Sequence, residues 1–206
     1  MVDAQIARME KTVQELIRLD LNPGHVHVIC KENPSATLPY HNAGHCCTVG
    51  LNCLAGAEST GMSPDEAANL FLAGLYHDYD HSGGKCTDDV NIARAVKGMA
   101  YWCSKLEGYD APRLDAISSI ISATIWPAEL FKGTRNLSQS IICDADHMQY
   151  LEPDAMSFVD GIGLETGQLI TVPLTLQFLA SYEPKTEWGT ERLREIRQAK
   201  LERFNA

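Results

Sequence analysis

The residues able to do chemistry fall into three short islands: Tyr40-His41-Asn42-Ala43-Gly44-His45, His77-Asp78-Tyr79-Asp80-His81 and Asp144-Ala145-Asp146-His147. Of the seven histidines only His25 and His27 lie outside them. Imidazole and carboxylate together, with no thiolate, form the donor set of a hard or borderline divalent cation. A metal-centred hydrolase is the chemistry such a set points to.

The adjacent pair His77-Asp78 is unusual. Neighbours on a helix point about 100° apart, so both reach one ion only if it sits over the helix end or in the angle between them. His41 and His45 are four apart and share a face if the helix has already begun at His41, so one can ligate while the other acts as acid or base. Asp146 follows the apolar Ile141-Ile142-Cys143 and can bring a carboxylate from a further buried helix. Asp144 rivals it, and both can serve if the site is binuclear. Four ligands, His45, His77, Asp78 and Asp146, leave positions open to water, as a catalytic site requires.

In order and spacing these blocks resemble the HD-domain metal-dependent phosphohydrolase superfamily, whose pattern is a His, then His-Asp, then a distant Asp. Tyr40-His41-Asn42 with His45, followed by His77-Asp78-Tyr79-Asp80-His81-Ser82-Gly83, is most similar to the cyclic nucleotide phosphodiesterase version. The resemblance covers roughly residues 38 to 150. It implies metal ligation by His45, His77, Asp78 and Asp146, with Asp78 able to bridge a second ion. It also implies His41 as proton donor to the leaving oxygen, and His81 as a catalytic-site histidine beside the metal or facing substrate. Departures are visible as well. Cys86 stands where the phosphodiesterase signature has Asn or Gln, Asn91 is nearest to a following acidic position although Asp88 and Asp89 lie just before it, and no base-clamping glutamine is evident near the C-terminus of this shorter chain.

The expected activity is therefore hydrolysis of a phosphodiester or phosphomonoester bond of a small nucleotide-like molecule. Two alternatives stand beside it: a nucleotide triphosphohydrolase, which needs more cationic groups around the site, and a non-catalytic metal-stabilised nucleotide-binding module, which would not need His41. Mg²⁺ and Mn²⁺ suit phosphate oxygens, whereas two histidines favour Mn²⁺, Fe²⁺, Co²⁺, Ni²⁺ or Zn²⁺; one or two ions fit the motif.

The elements that must position these residues read as helices throughout. Ile6, Met9, Val13, Leu16 and Ile17 give residues 3 to 20 an amphipathic pattern, closed by Pro23-Gly24. A second helix is expected from near His41 to about Ser59. Ser63-Pro64-Asp65-Glu66 is a capping box with proline in the first turn, opening a helix that delivers His77-Asp78 near its C-terminal end. Further helices are expected from about Asp88 to Leu106, from Pro112 to Thr124 ahead of Trp126-Pro127, from Ser138 as cap through Asp146, over 166 to 182, and over 187 to 204 with Glu191, Arg192, Arg194, Glu195 and Arg197 on a solvated face. His25-Val26-His27-Val28-Ile29-Cys30 alternates with period two and reads as loop or brief strand, its histidines as surface or packing residues. The fold class is all-α, a compact HD-domain helical bundle.

The remaining candidates have plainer readings. His147 is expected in packing or at the surface; Asp80, Asp88 and Asp89 are expected as solvated loop or helix-start charges. Lys85 is either a phosphate contact or an exposed loop lysine.

Composition narrows the partners. At 206 residues with no Pro/Gly/Ser-rich linker the chain is expected to form a single domain, residues 1–206. The formal net charge of −10 argues against a polymeric nucleic-acid partner. Neither a leader-like N-terminus nor a bilayer-length apolar run is evident, so a soluble cytoplasmic protein is expected, acting on a small phosphorylated substrate; its oligomeric state is not set by these features. The seven cysteines are odd in number and lack Cys-x-x-Cys spacing. Most lie in apolar helical contexts, where free cysteine packs as a small core residue, and a reducing compartment is expected.

Overall fold

The computed structural model describes residues 2–148, 155–170, 174, 177 and 180–204. The protein is all helical, and no β-strand occurs among the described residues. Helix α1 (Val2–Arg18) turns Thr12 and Leu16 inward, with Met9 packed on the core, whereas Ile6 and Ile17 of the expected apolar stripe remain half exposed or more. His25–Cys30 is not a strand: α2 (Gly24–His27) runs straight into a π turn, Val28–Glu32. The alternation misleads there because His25 is itself buried. Its ring bonds the Tyr76 hydroxyl at 2.7 Å and Glu107 Oε1 at 2.9 Å, so a polar side chain occupies a core position. His27 is exposed.

Helices α3 (Ala43–Ser59) and α4 (Pro64–Tyr76) form the centre. Asn42 caps α3, its Oδ1 accepting the His45 N–H at 3.1 Å, so the helix begins two residues after His41 rather than at it. The Ser63 capping box opens α4 as expected: Ser63 Oγ accepts from the Glu66 N–H and the Ser63 N–H donates to Glu66 Oε2. The two helices meet at Gly50 and Gly74, where a Cβ on Gly74 would come within 2.8 Å of the Gly50 Cα. Only hydrogen fits at that crossing, and it brings His45 near His77.

Helix α5 (Asp88–Glu107) ends at Gly108, whose φ of +66° suits glycine. Helix α6 (Ala111–Ile121) passes into a short 3₁₀ turn, Ser122–Thr124. Helix α7 (Leu137–Met148) starts one residue before the expected cap: Asn136, not Ser138, caps it, pairing reciprocally with Gln139. The helix expected over 166–182 does not begin at 166. Helix α8 occupies Ala155–Thr166, Gly167 leaves the helical region at φ +69°, and residues 167–170 are not helical. Residues 174, 177, 180 and 181 are helical; 171–173, 175–176 and 178–179 lie outside the described residues. Helix α9 (Glu187–Phe204) turns Leu193 and Ile196 inward and leaves Glu191, Arg194 and Glu195 exposed, with Arg192 half-buried; the Arg197 side chain lies outside the described residues.

Cys46, Cys47, Cys53, Cys103 and Cys143 are buried, free and part of the core. Burial raises the thiol pKa of each, Cys47 and Cys103 to about 12. Among the described residues no helix is long and apolar enough to cross a membrane.

Candidate metal centre

Each donor comes from the end of an element whose sequence sets its position. His45 lies in the first turn of α3, fixed by the Asn42 cap. His77 is the C-cap of α4, where its Nδ1–H donates to the Gly74 carbonyl at 2.8 Å, so the Nε2 lone pair points away from the helix. Asp78 follows in a turn past the helix end, which is how two neighbours come to face one point. Asp146 arrives from α7.

The four side chains converge. His45 Nε2 and His77 Nε2 are 3.0 Å apart; Asp78 Oδ2 is 2.8 Å from the first and 3.1 Å from the second, and Asp146 Oδ1 is 3.3 and 3.5 Å from them. Both histidines are buried. Burial alone would push their pKa values down, yet the carboxylates of Asp78 and Asp146 raise them above the usual histidine range. Burial likewise works to raise the two carboxyls, but the imidazoles hold both well below the usual carboxylate range. The field at this point calls for positive charge. Two imidazole nitrogens and two carboxylates aimed at one position fit a divalent cation, and His45, His77 and Asp78 by themselves can hold one.

Asp144 does not join them. Fully buried on the other side of α7, its carboxylate accepts from the Tyr182 hydroxyl (2.7 Å), the Lys185 N–H (2.8 Å), and the Thr186 N–H (2.9 Å) and hydroxyl (2.7 Å). It fastens the entry to α9 onto α7, so of the two rivals only Asp146 faces the centre.

His41 lies just before α3, in a stretch of chain packed against α8. A Cβ on Gly161 would approach the Pro39 carbonyl oxygen to 2.6 Å, and one helical turn later Glu165 reaches the same stretch. The Glu165 carboxylate accepts from the Tyr40 N–H (2.5 Å), the His41 N–H (2.9 Å) and His41 Nδ1–H (2.6 Å). Its side chain is 2 % exposed. Burial opposes ionisation there, but the bonds from His41 and from the two backbone amides bring its pKa below the usual value. With Nδ1 engaged, Nε2 of His41 is the ring atom left to face the centre.

Glu165 escapes sequence reasoning because it lies 124 positions from its partner, just outside the helix expected there. The signal available was Gly161-x-x-x-Glu165, a small residue and an acid on one helical face.

His81 stacks on His41, ring centroids 3.6 Å apart and planes at 29°. The turn that brings it back runs through Asp80 at φ +59°, whose N–H is held by Asn33 Oδ1 at 2.9 Å. Both nitrogens of His81 are engaged: Nδ1 accepts from the Gly83 N–H at 3.1 Å and Nε2 contacts the Asn91 amide at 2.9 Å. Burial lowers its pKa to about 4. This environment favours the neutral form of the His81 ring, stacked against His41.

A cavity of about 580 Å³ opens onto this group. Its lining includes His41, His77, Asp78, His81 and Asp146, and also Asp88, Asn91, Ile92, Trp126, His147 and Ile162. None of the described lining residues is a lysine or an arginine. Lys85 is exposed outside it, while Asp88, expected as a solvated helix-start charge, is half-buried in its wall. No known protein family matches the chain, and no curated protein matches it.

Proposed function

We propose that this protein is a metal-dependent phosphohydrolase of the phosphodiesterase or nucleotidase type, cleaving a phosphodiester or phosphomonoester bond of a small nucleotide-like molecule. The observation that carries the reading is the shared cavity: three of the four converging metal donors, His77, Asp78 and Asp146, and a carboxylate-backed histidine open onto one space of about 580 Å³, with His45 buried behind them. The motif resemblance to HD-domain enzymes supports it.

His45, His77, Asp78 and Asp146 would hold the ion. A divalent ion bound there supplies Lewis acidity toward a phosphate ester. The protein's own part is then proton management. Glu165 fixes the His41 ring with Nδ1–H bonded to its carboxylate, which leaves Nε2 to deliver a proton to the departing oxygen. His81 holds the ring plane by stacking from below.

The cavity wall favours one phosphate over three. A triphosphate brings charge that lysine and arginine normally meet, and the described lining offers neither. A binding module without turnover has no use for the Glu165–His41 pair. Metal analysis of the purified protein, followed by a panel of nucleoside mono-, cyclic and triphosphates with Mn²⁺, tests all three readings. Release of inorganic phosphate or opening of a cyclic ester is expected; release of tripolyphosphate, or binding with no turnover across the panel, would displace the proposal.

A further inference from the structure

We propose that the part of the cavity wall formed by Asp88 and Trp126 is a base-reading subsite, in which Asp88 accepts a hydrogen bond from an N–H donor on the edge of a nucleobase lying against Trp126. The inference rests on the reading of the centre as a phosphoester site and adds what it favours there: a nucleoside monophosphate whose base carries a donor on that edge.

A continuous run of contacts leads from the chemistry to this subsite. His81 stacks on His41, and Asn91 holds His81 at 2.9 Å. Asp88, Asn91 and Ile92 stand at i, i+3 and i+4 of α5, so they share one face, and all three line the cavity. At 1.5 Å per residue, Asp88 lies about 4.5 Å further along the helix than Asn91. Next to it, the Trp126 N–H donates to Asp88 Oδ2 at 2.6 Å, tying the tryptophan to the carboxylate.

Polarity then orients the ligand. One carboxylate oxygen is occupied by Trp126, which leaves the other to accept. Burial raises the Asp88 pKa, so the anion lacks part of its hydration and gains from a donor. With no lysine or arginine in the described lining, Asp88 repels a phosphate and leaves that group to the cation-seeking centre. The walls between suit a flat ring. The Trp126 side of the cavity continues into His147 (centroids 6.0 Å apart), which stacks on Tyr182 at 4.6 Å and 13°, while Ile92 and Ile162 supply apolar surface.

The test is a binding comparison that needs no turnover. Calorimetry on the Mn²⁺-loaded protein compares the non-hydrolysable phosphonate analogue of AMP with that of purine riboside 5′-monophosphate, identical except for the missing amino group, and with that of ribose 5-phosphate, which has no base. Loss of one hydrogen bond to a half-buried carboxylate is expected to weaken binding about tenfold, and loss of the base further. In Asp88→Asn the amide keeps the Trp126 bond through its oxygen and presents NH₂ to the cavity, so the AMP preference should fall to about one or invert. Equal affinity for the two nucleotides in the wild-type protein, or an unchanged ratio in Asp88→Asn, overturns the subsite. Hydrolysis of p-nitrophenyl phosphate is run in parallel. Its absence would count against the phosphohydrolase reading, while the affinity ratio would still decide for or against Asp88.

Discussion

Replacing Glu165 by glutamine keeps an acceptor oxygen beside His41 and removes the charge. The bond from His41 Nδ1 is 2.6 Å long, to a carboxylate that is 2 % exposed, so solvent screens it little. A hydrogen bond with a charged partner contributes about 1.5–3 kcal/mol. At about 1.4 kcal/mol per tenfold in rate, Glu165→Gln should lower kcat by roughly 10- to 150-fold if that stabilisation is needed when His41 carries its proton. His41→Ala should cost roughly 10²- to 10⁴-fold, the range for a general acid. Because Glu165 acts through His41, the double variant should be no slower than His41→Ala alone. The assay is steady-state turnover of an alkyl phosphate and of p-nitrophenyl phosphate, with metal content measured for each variant. All three should keep their metal, and all three defects should shrink on the nitrophenyl ester, whose leaving group departs without a proton. Multiplicative losses in the double variant would refute the coupling. Equal defects on both esters would make His41 a positioning residue, and loss of metal would make it a ligand.

Three further outcomes follow from the geometry. His77→Ala or Asp78→Ala should abolish both bound metal and hydrolysis, since each removes a donor from the converging four; full metal occupancy in either would undo the assignment of the centre. Asp144→Ala strips four buried hydrogen bonds from the junction of α7 with the entry to α9 and should destabilise the fold by about 3–5 kcal/mol in denaturant titrations; a loss under 1 kcal/mol would contradict the fastening role. Gly74→Ala should cost about 1–3 kcal/mol by the same measurement, because its new methyl meets the backbone of Gly50; wild-type stability would show that the crossing can relax.

How much of this was legible depended on how locally each residue is specified. The helix start at Ser63 is written in adjacent residues, and so is the His77-Asp78 pair at a helix end. Asp146 could be grouped with the histidines by residue type but preferred over Asp144 only by resemblance, because the direction in which α7 faces is not written locally. Glu165, Asn91 and Asp88 belong to a different class. Each acts through a partner distant in sequence or through a cavity wall, so its own neighbourhood, such as Gly161-x-x-x-Glu165, does not say what it meets. His25 shows the reverse failure: a polar side chain satisfied inside the core makes a helical segment look alternating.

The meeting of Gly50 with Gly74 has a bearing on metal exchange. Helices α3 and α4 are held together there by backbone contact and by apolar neighbours such as Phe71 and Leu75, none of which belongs to the donor set. The cage is therefore shaped by the core and not assembled around its cargo. A divalent ion held there would displace protons with the helices already in place, so the geometry of the cage and the intrinsic order of its imidazole and carboxylate donors would together set which ion it prefers.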